Sequence, residues 1–269
     1  MNTPSTNETR SHYLDNLKVL LTVLVIAHHA MIPFVDGTGW PFSPSNPDES
    51  LPYMWHFLNT NAAFFMGLFF MISGYFVPKS FGRQGFGKFI FKKTLRLFVP
   101  LAVISAVISV ATGTPESGHT WFLGTLFLFC LVYSIIRLVC KKSYDNPKPL
   151  SLIFVIVFAV IMSAGSLILR KIYNQDDWIY LWVYKFEPVH YLQYIMMFAF
   201  GVMAGRGEWF NKMSGTTGCT SLVIGLLLCI GNYLRGDNAW IYLSMVWCIR
   251  IAFVRFSLHR AYLVIQKSW

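Results

Sequence analysis

Two adjacent histidines, His28 and His29, stand in an otherwise apolar run, LDNLKVLLTVLVIAHHAM, which covers residues 14–31. Ionisable side chains are costly in hydrocarbon, so they usually face a cavity or the interior of a helix bundle. Burial disfavours the charged form of histidine, and the neutral form that remains is the basic one. A neutral, desolvated histidine is therefore a candidate proton acceptor near neutral pH.

Lys18 lies on nearly the same helical face as His29. The two residues are eleven positions apart, which is about three turns at about 100° per residue, whereas His28 is rotated from that line by roughly 80°. Asp15, three residues before Lys18, is within helical contact range and is expected to neutralise it. The alternative is that both histidines reach lipid headgroups or bond a neighbouring backbone carbonyl.

The composition is that of a membrane protein. The chain is 55% hydrophobic and 13% charged, with a mean hydropathy of +0.51, whereas soluble domains have about 45–50% apolar and about 25% charged residues. Residues 1–13 are expected to form a polar cytoplasmic tail without a cleavable signal peptide, and residues 14–269 a single membrane domain. The five cysteines lack a C-x-x-C pair or a histidine at metal spacing, so we expect buried thiols, no metal and no bound cofactor.

The apolar runs predict an all-α, polytopic bundle of transmembrane helices. A helix needs roughly 17–25 residues to cross a bilayer, and it satisfies its own backbone hydrogen bonds in lipid. Barrel strands would alternate in hydrophobicity, which these runs do not. About eight spans are predicted, at residues 14–35, 61–78, 97–112, 120–137, 150–169, 189–206, 218–235 and 239–259.

The basic residues predict that the N-terminus lies in the cytoplasm. With that orientation the inner segments hold most of the 22 Lys and Arg residues, as the positive-inside rule requires. Residues 83–96, RQGFGKFIFKKTLR, interleave basic and apolar residues as an interfacial amphipathic helix does. We therefore assign the net charge of +10 to contact with membrane lipid and expect no nucleic acid partner.

Four motifs, in this order, resemble those of the acyltransferase-3 family of bacterial integral-membrane acyltransferases. The first is YLDNLKVLLTVLVIAHHA, which holds Leu14, Asp15, Lys18 and His29. The others are the Phe-rich FFMGLFFMISGYFVPKSF, the basic FIFKKTLRLFVPL and the span entry GHTWFLGTLFLF. The resemblance runs from Ser11 to the end of the chain.

The resemblance implies a reaction. An acyl group, usually from cytoplasmic acyl-CoA, passes to a hydroxyl of a carbohydrate or other cell-envelope acceptor at the bacterial inner membrane. His29 carries over as the base on that hydroxyl and Lys18 as the basic motif residue, with His28 as a further catalytic candidate. Direct transfer and a covalent acyl-histidine intermediate are both open.

The resemblance also maps a paired basic motif, which would contact the phosphates of CoA, to Lys92 and Arg96. Lys92 stands where the family more often has arginine. Lysine contacts phosphate as a point charge and lacks the bidentate fork of arginine. The neighbouring Lys93 is the alternative member of the pair.

Three further polar residues are candidates for the acceptor site. His119 lies at the outer start of the fourth predicted span and Glu187 at the outer mouth of the sixth. Arg250 lies about 16 Å into the eighth by helical rise, a depth at which a charge is a functional candidate. The alternatives are an aromatic-belt position for His119, a solvated loop for Glu187 and a missing ion-pair partner for Arg250.

Two other functions stay open. Several spans with buried His, Lys and Arg also suit a transporter with a polar path, although no symmetry of broken spans is visible. Members of the resembled family usually have more spans and a longer chain. We therefore also expect that the chain lacks the last spans, in which case it would be an inactive remnant.

Overall fold

The structure of the protein is a computed structural model. The residues that it describes are 12–35, 51, 54–114, 116–140, 152–174, 177–181 and 184–212. The predicted spans 218–235 and 239–259, together with Arg250, lie outside the described residues.

The described part of the chain is mostly helical, which confirms the predicted class. Its long helices are α1 (His12–Met31), α2 (Met54–Lys93), α3 (Val99–Thr112), α4 (Trp121–Val139), α5 (Leu152–Ile172) and α6 (Pro188–Gly207). The shorter elements are two 3-10 helices (Ile32–Phe34 and Gly118–Thr120), a π-helical segment (Thr94–Phe98), α7 (Trp209–Lys212), and an antiparallel hairpin of β1 (Ile179–Leu181) and β2 (Tyr184–Phe186).

Within the described residues, three helical stretches are long and apolar enough to cross a membrane. They are Leu14–Phe34, Met54–Thr112 and Gly118–Val139. The second stretch joins α2, the π-helical segment and α3 in one run. The count of eight spans and the cytoplasmic N-terminus stay predictions.

Helix α2 extends beyond the predicted span 61–78 because it continues through Pro78. Proline removes one backbone hydrogen bond, but membrane helices tolerate it where neighbouring groups satisfy the freed carbonyl. The break comes at Gly85, whose φ of 67° is readily accessible to glycine. Beyond it lies the predicted amphipathic segment, in which Phe89 is buried with its ring centroid 5.5 Å from that of Phe81.

The π-helical segment Thr94–Phe98 precedes Pro100. Pro100 has no backbone N–H, and in a regular α-helix its ring would clash with the carbonyl of Arg96. The hydrogen-bond register changes here, since the Val99 N–H donates to the Thr94 carbonyl. Such π turns often mark functional sites in helices, and this one holds Arg96, a predicted phosphate-binding residue.

Helices α2, α4 and α6 run in one direction, and α1, α3 and α5 run in the other. Along α2 and α6, Gly67 approaches Gln193 at one end and Gly205 approaches Tyr75 further on. We call the end of the bundle at which α1, α3 and α5 finish the histidine end. The opposite end, where α1 starts and where the segment from Lys92 to Arg96 lies, is called the basic end.

A close contact between α2 and α6 passes through glycines. Gly201 and Gly205 are four residues apart, and a Cβ atom at these positions would meet the backbone carbonyls of Met71 and Tyr75. Gly74 approaches the Phe198 carbonyl in the same way from α2. Small residues at this spacing let membrane helices pack backbone to backbone, so α2 and α6 form the axis on which both ends are built.

An aromatic core separates the two ends. Phe70 is fully buried and packs its ring 4.9 Å from Phe122, 5.3 Å from Phe129 and 4.9 Å from Tyr194, measured between centroids. Aromatic pairs at such distances stabilise a core beyond the area they bury. The histidine end is therefore held by side chains from α2, α4 and α6 together.

Candidate active site

The His29 side chain is held by a backbone hydrogen bond that determines its tautomer. Its Nδ1 lies 2.8 Å from the carbonyl oxygen of Val25, one turn earlier in α1. A carbonyl oxygen only accepts, so Nδ1 carries the proton and donates this bond. In the neutral ring Nε2 then has the lone pair and is the atom that accepts a proton. The carbonyl contact that the sequence suggested as an alternative is thus present, and Nε2 is the ring nitrogen that it leaves unprotonated in the neutral form.

The stripe of α1 that carries His29 continues toward the basic end. Lys18, Thr22, Val25 and His29 follow one another at helical spacings on one face. The last three line a cavity at the histidine end, and Lys18 lies one turn beyond it. Lys18 forms the predicted ion pair with Asp15, with 3.3 Å between Nζ and Oδ1. The structure therefore places Lys18 near the cavity but not in its lining.

Two further imidazoles lie beside His29. The ring centroid of His119 is 4.2 Å from that of His29, and the ring of His28 is 5.4 Å away. His28 also packs 5.1 Å from Phe65. His119 comes from the 3-10 helix before α4 and is exposed, whereas His28 is half-buried. The structure thus brings a distant imidazole to the pair predicted from α1.

Glu187 and His190, at the start of α6, face the same cavity. They are one turn apart, with 3.5 Å between Oε1 of Glu187 and Nε2 of His190. Both side chains are largely buried, at 15% and 18% exposure. Glu187 is therefore not in a solvated loop, which was the alternative drawn from the sequence.

Aromatic rings complete the lining. Trp121 stacks on Tyr194 at 5.6 Å between centroids and meets Trp178 edge-to-face at 6.0 Å. The cavity encloses about 310 Å³, which is the size of a small-ligand site. Among the described residues, no group of three or more His, Cys, Asp and Glu side chains is placed to hold a metal ion.

An ion pair connects the β1–β2 hairpin to the histidine end of the bundle. Lys185 in β2 pairs with Glu116, and its ammonium lies 4.9 Å from the ring centroid of Trp178. Partial burial raises the pKa of the Glu116 carboxyl, but the Lys185 ammonium and backbone amides outweigh it, so the pKa is lowered. Lys185 therefore links the loop before α4 to a wall of the cavity.

Hydroxyl contacts fasten the hairpin to α4 and α6. The Tyr184 hydroxyl lies 2.8 Å from Thr125 Oγ1 and donates to the Tyr191 hydroxyl at 3.3 Å. Burial raises the pKa of Tyr184 and exceeds the opposite effect of these hydrogen bonds. Tyr184 therefore stays protonated and keeps its role as a donor.

A second cavity, of about 120 Å³, lies at the basic end. Lys92, Lys93 and Arg96 all line it. Lys92 and Arg96 are exposed, whereas Lys93 is half-buried with its ammonium 5.4 Å from the Phe89 ring centroid. Within the part of the chain that the structure describes, the two cavities share no lining residue. The three predicted phosphate-binding residues thus meet in one place, at the opposite end of the bundle from His29.

The structure gathers four of the predicted site residues in one cavity, namely His28, His29, His119 and Glu187. Sequence reasoning did not select Trp178 and Tyr194 for the site, and it considered His190 only as a neighbour of Glu187. The spacing of Glu187 and His190 was a usable signal for a pair on one helical face. No local sequence pattern indicated Trp178, because its position in the cavity wall depends on a contact with Lys185 across the hairpin.

No curated protein and no solved structure matches the chain significantly. The sequence model of the acyltransferase-3 family, described as an acyltransferase domain, matches residues 11–269. This match covers nearly the whole chain and includes all four motifs that carried the resemblance. From this match, the chain belongs to the acyltransferase-3 family.

Proposed function

We propose that this protein is a membrane-bound O-acyltransferase of the bacterial inner membrane. It moves an acyl group from cytoplasmic acyl-CoA to a hydroxyl of a carbohydrate or other cell-envelope acceptor. Family membership supports acyl transfer at a membrane in general. The observation that supports the specific reaction is the hydrogen bond from His29 Nδ1 to the Val25 carbonyl, because in the neutral ring it leaves the lone pair on Nε2, which we assign as the base.

In the proposed step, His29 Nε2 accepts the proton of the acceptor hydroxyl as its oxygen attacks the thioester carbonyl. The carbon–sulfur bond breaks, and the CoA thiolate takes up the proton, so an ester and free CoA are formed. A positioned base of this kind contributes typically about 10²–10⁴-fold to the rate. The neighbouring His119 ring is close enough to orient His29 or to share the proton.

The cavity walls support a carbohydrate acceptor. Trp121 and Trp178 are half-buried rings in the lining, and rings of this kind suit packing against the apolar face of a sugar ring. Glu187 and His190 offer hydrogen-bonding groups for the sugar hydroxyls. An apolar lining with few convergent polar groups is the usual composition of small-molecule sites.

The basic end supports an acyl-CoA donor. Lys92, Lys93 and Arg96 line one small cavity, and paired basic residues there suit the phosphates of CoA. Lys18 and His29 are separated by about 16 Å along α1. We propose that the acyl-bearing arm follows the stripe Lys18–Thr22–Val25 toward His29, so the core between the cavities must open for it.

Reconstituted protein tests the proposal. Proteoliposomes that hold the full chain are given acyl-CoA on one side and a panel of glycans on the other. We expect CoA release that depends on the glycan, and an ester on the glycan detected by mass spectrometry. Solute flux without acyl-CoA, together with no CoA release above empty liposomes, would contradict the proposal and favour a transporter. An acyl adduct trapped on His29 would decide for the covalent route.

A further inference from the structure

An apolar groove runs along the bundle between α4 and α6 and encloses about 490 Å³. Its floor is aromatic, since Phe129 packs 5.2 Å from Phe198 between ring centroids. Its walls carry aliphatic side chains, among them Val132 and Ile195, which are 45% exposed each. Among the described residues, the groove shares no lining residue with the histidine cavity or the basic cavity, so it lies outside the two sites proposed for acyl transfer.

Two arginines stand at the basic end of this groove. Arg137 and Arg206 are its charged lining residues, and each lies in the last turn of its helix. Arg206 Nη2 donates to the Tyr133 hydroxyl at 3.3 Å, and its guanidinium carbon lies 5.7 Å from the ring centroid of Tyr133. No carboxylate lines the groove among the described residues. The groove is thus apolar along its length and cationic at one end.

The dimensions of the groove match one leaflet of a bilayer. The α4 wall runs from Leu128 to Arg137, which is about 14 Å by helical rise. A leaflet holds about half of the roughly 30 Å of hydrocarbon. A lipid chain that lies in the groove therefore places its headgroup at the level of the two arginines.

We propose that this groove binds an anionic membrane phospholipid. One hydrocarbon chain packs against the aromatic floor, and the phosphate contacts Arg137 and Arg206. The guanidinium pair favours an anionic lipid over a zwitterionic one, because the zwitterionic headgroup brings a cation to the same place. This lipid-binding site is separate from the proposed donor and acceptor sites.

Photo-crosslinking tests this inference. Full-length protein in nanodiscs is exposed to phosphatidylglycerol that carries a diazirine in its acyl chain, and labelled peptides are mapped by mass spectrometry. We expect the label to concentrate on α4 and α6. Unlabelled phosphatidylglycerol should compete about tenfold better than phosphatidylcholine, as expected for two arginines near the membrane surface. The double change Arg137→Gln and Arg206→Gln should remove this preference, whereas Arg83→Gln at the same end should keep it.

A second variant fills the groove. Ala199 lines it, so Ala199→Trp should lose most of the label on α4 and α6. Val157→Trp, at an exposed position on α5, should keep the label. Equal labelling of all exposed helices, or label that ignores both the arginine and the Ala199 changes, would overturn the proposal. Label that falls on residues 213–269 in place of α4 and α6 would also overturn it.

Discussion

The imidazole rings of His29 and His119 meet at 4.2 Å between centroids and at an interplanar angle of 69°. One ring belongs to α1 and the other to the 3-10 helix before α4. The two segments are joined in space by the packing of both α1 and α4 on α2. We infer that this second imidazole orients the proposed base or shares its proton.

We predict that His119 takes part through its ring nitrogens. His119→Phe keeps an aromatic ring next to His29, whereas His119→Ala removes it. Both changes should lower kcat by about 10²-fold if the nitrogens act in proton transfer, measured as steady-state acyl transfer by purified protein. If His119→Phe keeps the wild-type kcat and His119→Ala does not, His119 only packs against His29.

We predict that the basic cavity determines the affinity for acyl-CoA. Arg96→Ala or Lys92→Ala removes a charged contact to phosphate, worth about 1.5–3 kcal/mol when made in full. The KM for acyl-CoA should therefore rise about tenfold or more, with a smaller change in kcat, in initial-rate assays at varied acyl-CoA. Lys79→Ala, an exposed cation on α2 outside this cavity, serves as the control. An equal effect of all three changes would mean that only the general positive charge matters.

The Glu116–Lys185 ion pair predicts a pH dependence of stability. The pKa of Glu116 is lowered in the folded protein from an ordinary value of 4.5. The contribution of the ionised Glu116 carboxylate to the free energy of unfolding is therefore complete above pH 4.5. It is lost as the pH falls through the lowered pKa. Glu116→Gln should lower the Tm at pH 7, and the gap to wild type should close at acidic pH. A gap that is constant between pH 3 and pH 7 would show that the ion pair does not stabilise the fold.

The close contact of α2 and α6 through glycines predicts that alanine substitutions at Gly201 and Gly82 change the stability of the protein differently. A methyl group at Gly201 would meet the backbone of Met71, whereas one at Gly82 would meet no atom within 4 Å. Gly201→Ala should destabilise the protein by about 1–3 kcal/mol, as overpacking does. Gly82→Ala should leave stability unchanged or raise it by up to about 1 kcal/mol. Thermal unfolding in detergent compares them, and equal Tm values would refute the close contact.

Much of the site could be predicted because it depends on helical periodicity. The shared face of Lys18 and His29, and the Asp15 contact, follow from the geometry of one helix. The positions of His119 and Glu187 at one end follow from where apolar runs begin. The sequence left a solvated loop open as the alternative for Glu187, because the burial of a helix start depends on its neighbours, which a single sequence does not display.

Other features depend on contacts between distant segments. The course of α2 through Pro78 to a break at Gly85 was not predicted, because proline normally ends a helix in water. The position of Trp178 depends on Lys185 across the hairpin. The aromatic core between the two cavities depends on how Phe70 of α2 packs with rings of α4 and α6. Such pairings have no local sequence pattern.

The activity of His29→Ala tests the central claim most directly. The matched control is His56→Ala, because His56 is an exposed histidine of α2 outside the cavity lining. Both variants are purified, checked for an unchanged Tm, and assayed for acyl transfer from acyl-CoA to an acceptor. We predict that His29→Ala loses about 10²–10⁴-fold in kcat/KM and that His56→Ala keeps wild-type activity. A folded His29→Ala protein that transfers acyl groups at the wild-type rate would contradict the role of His29 as the base.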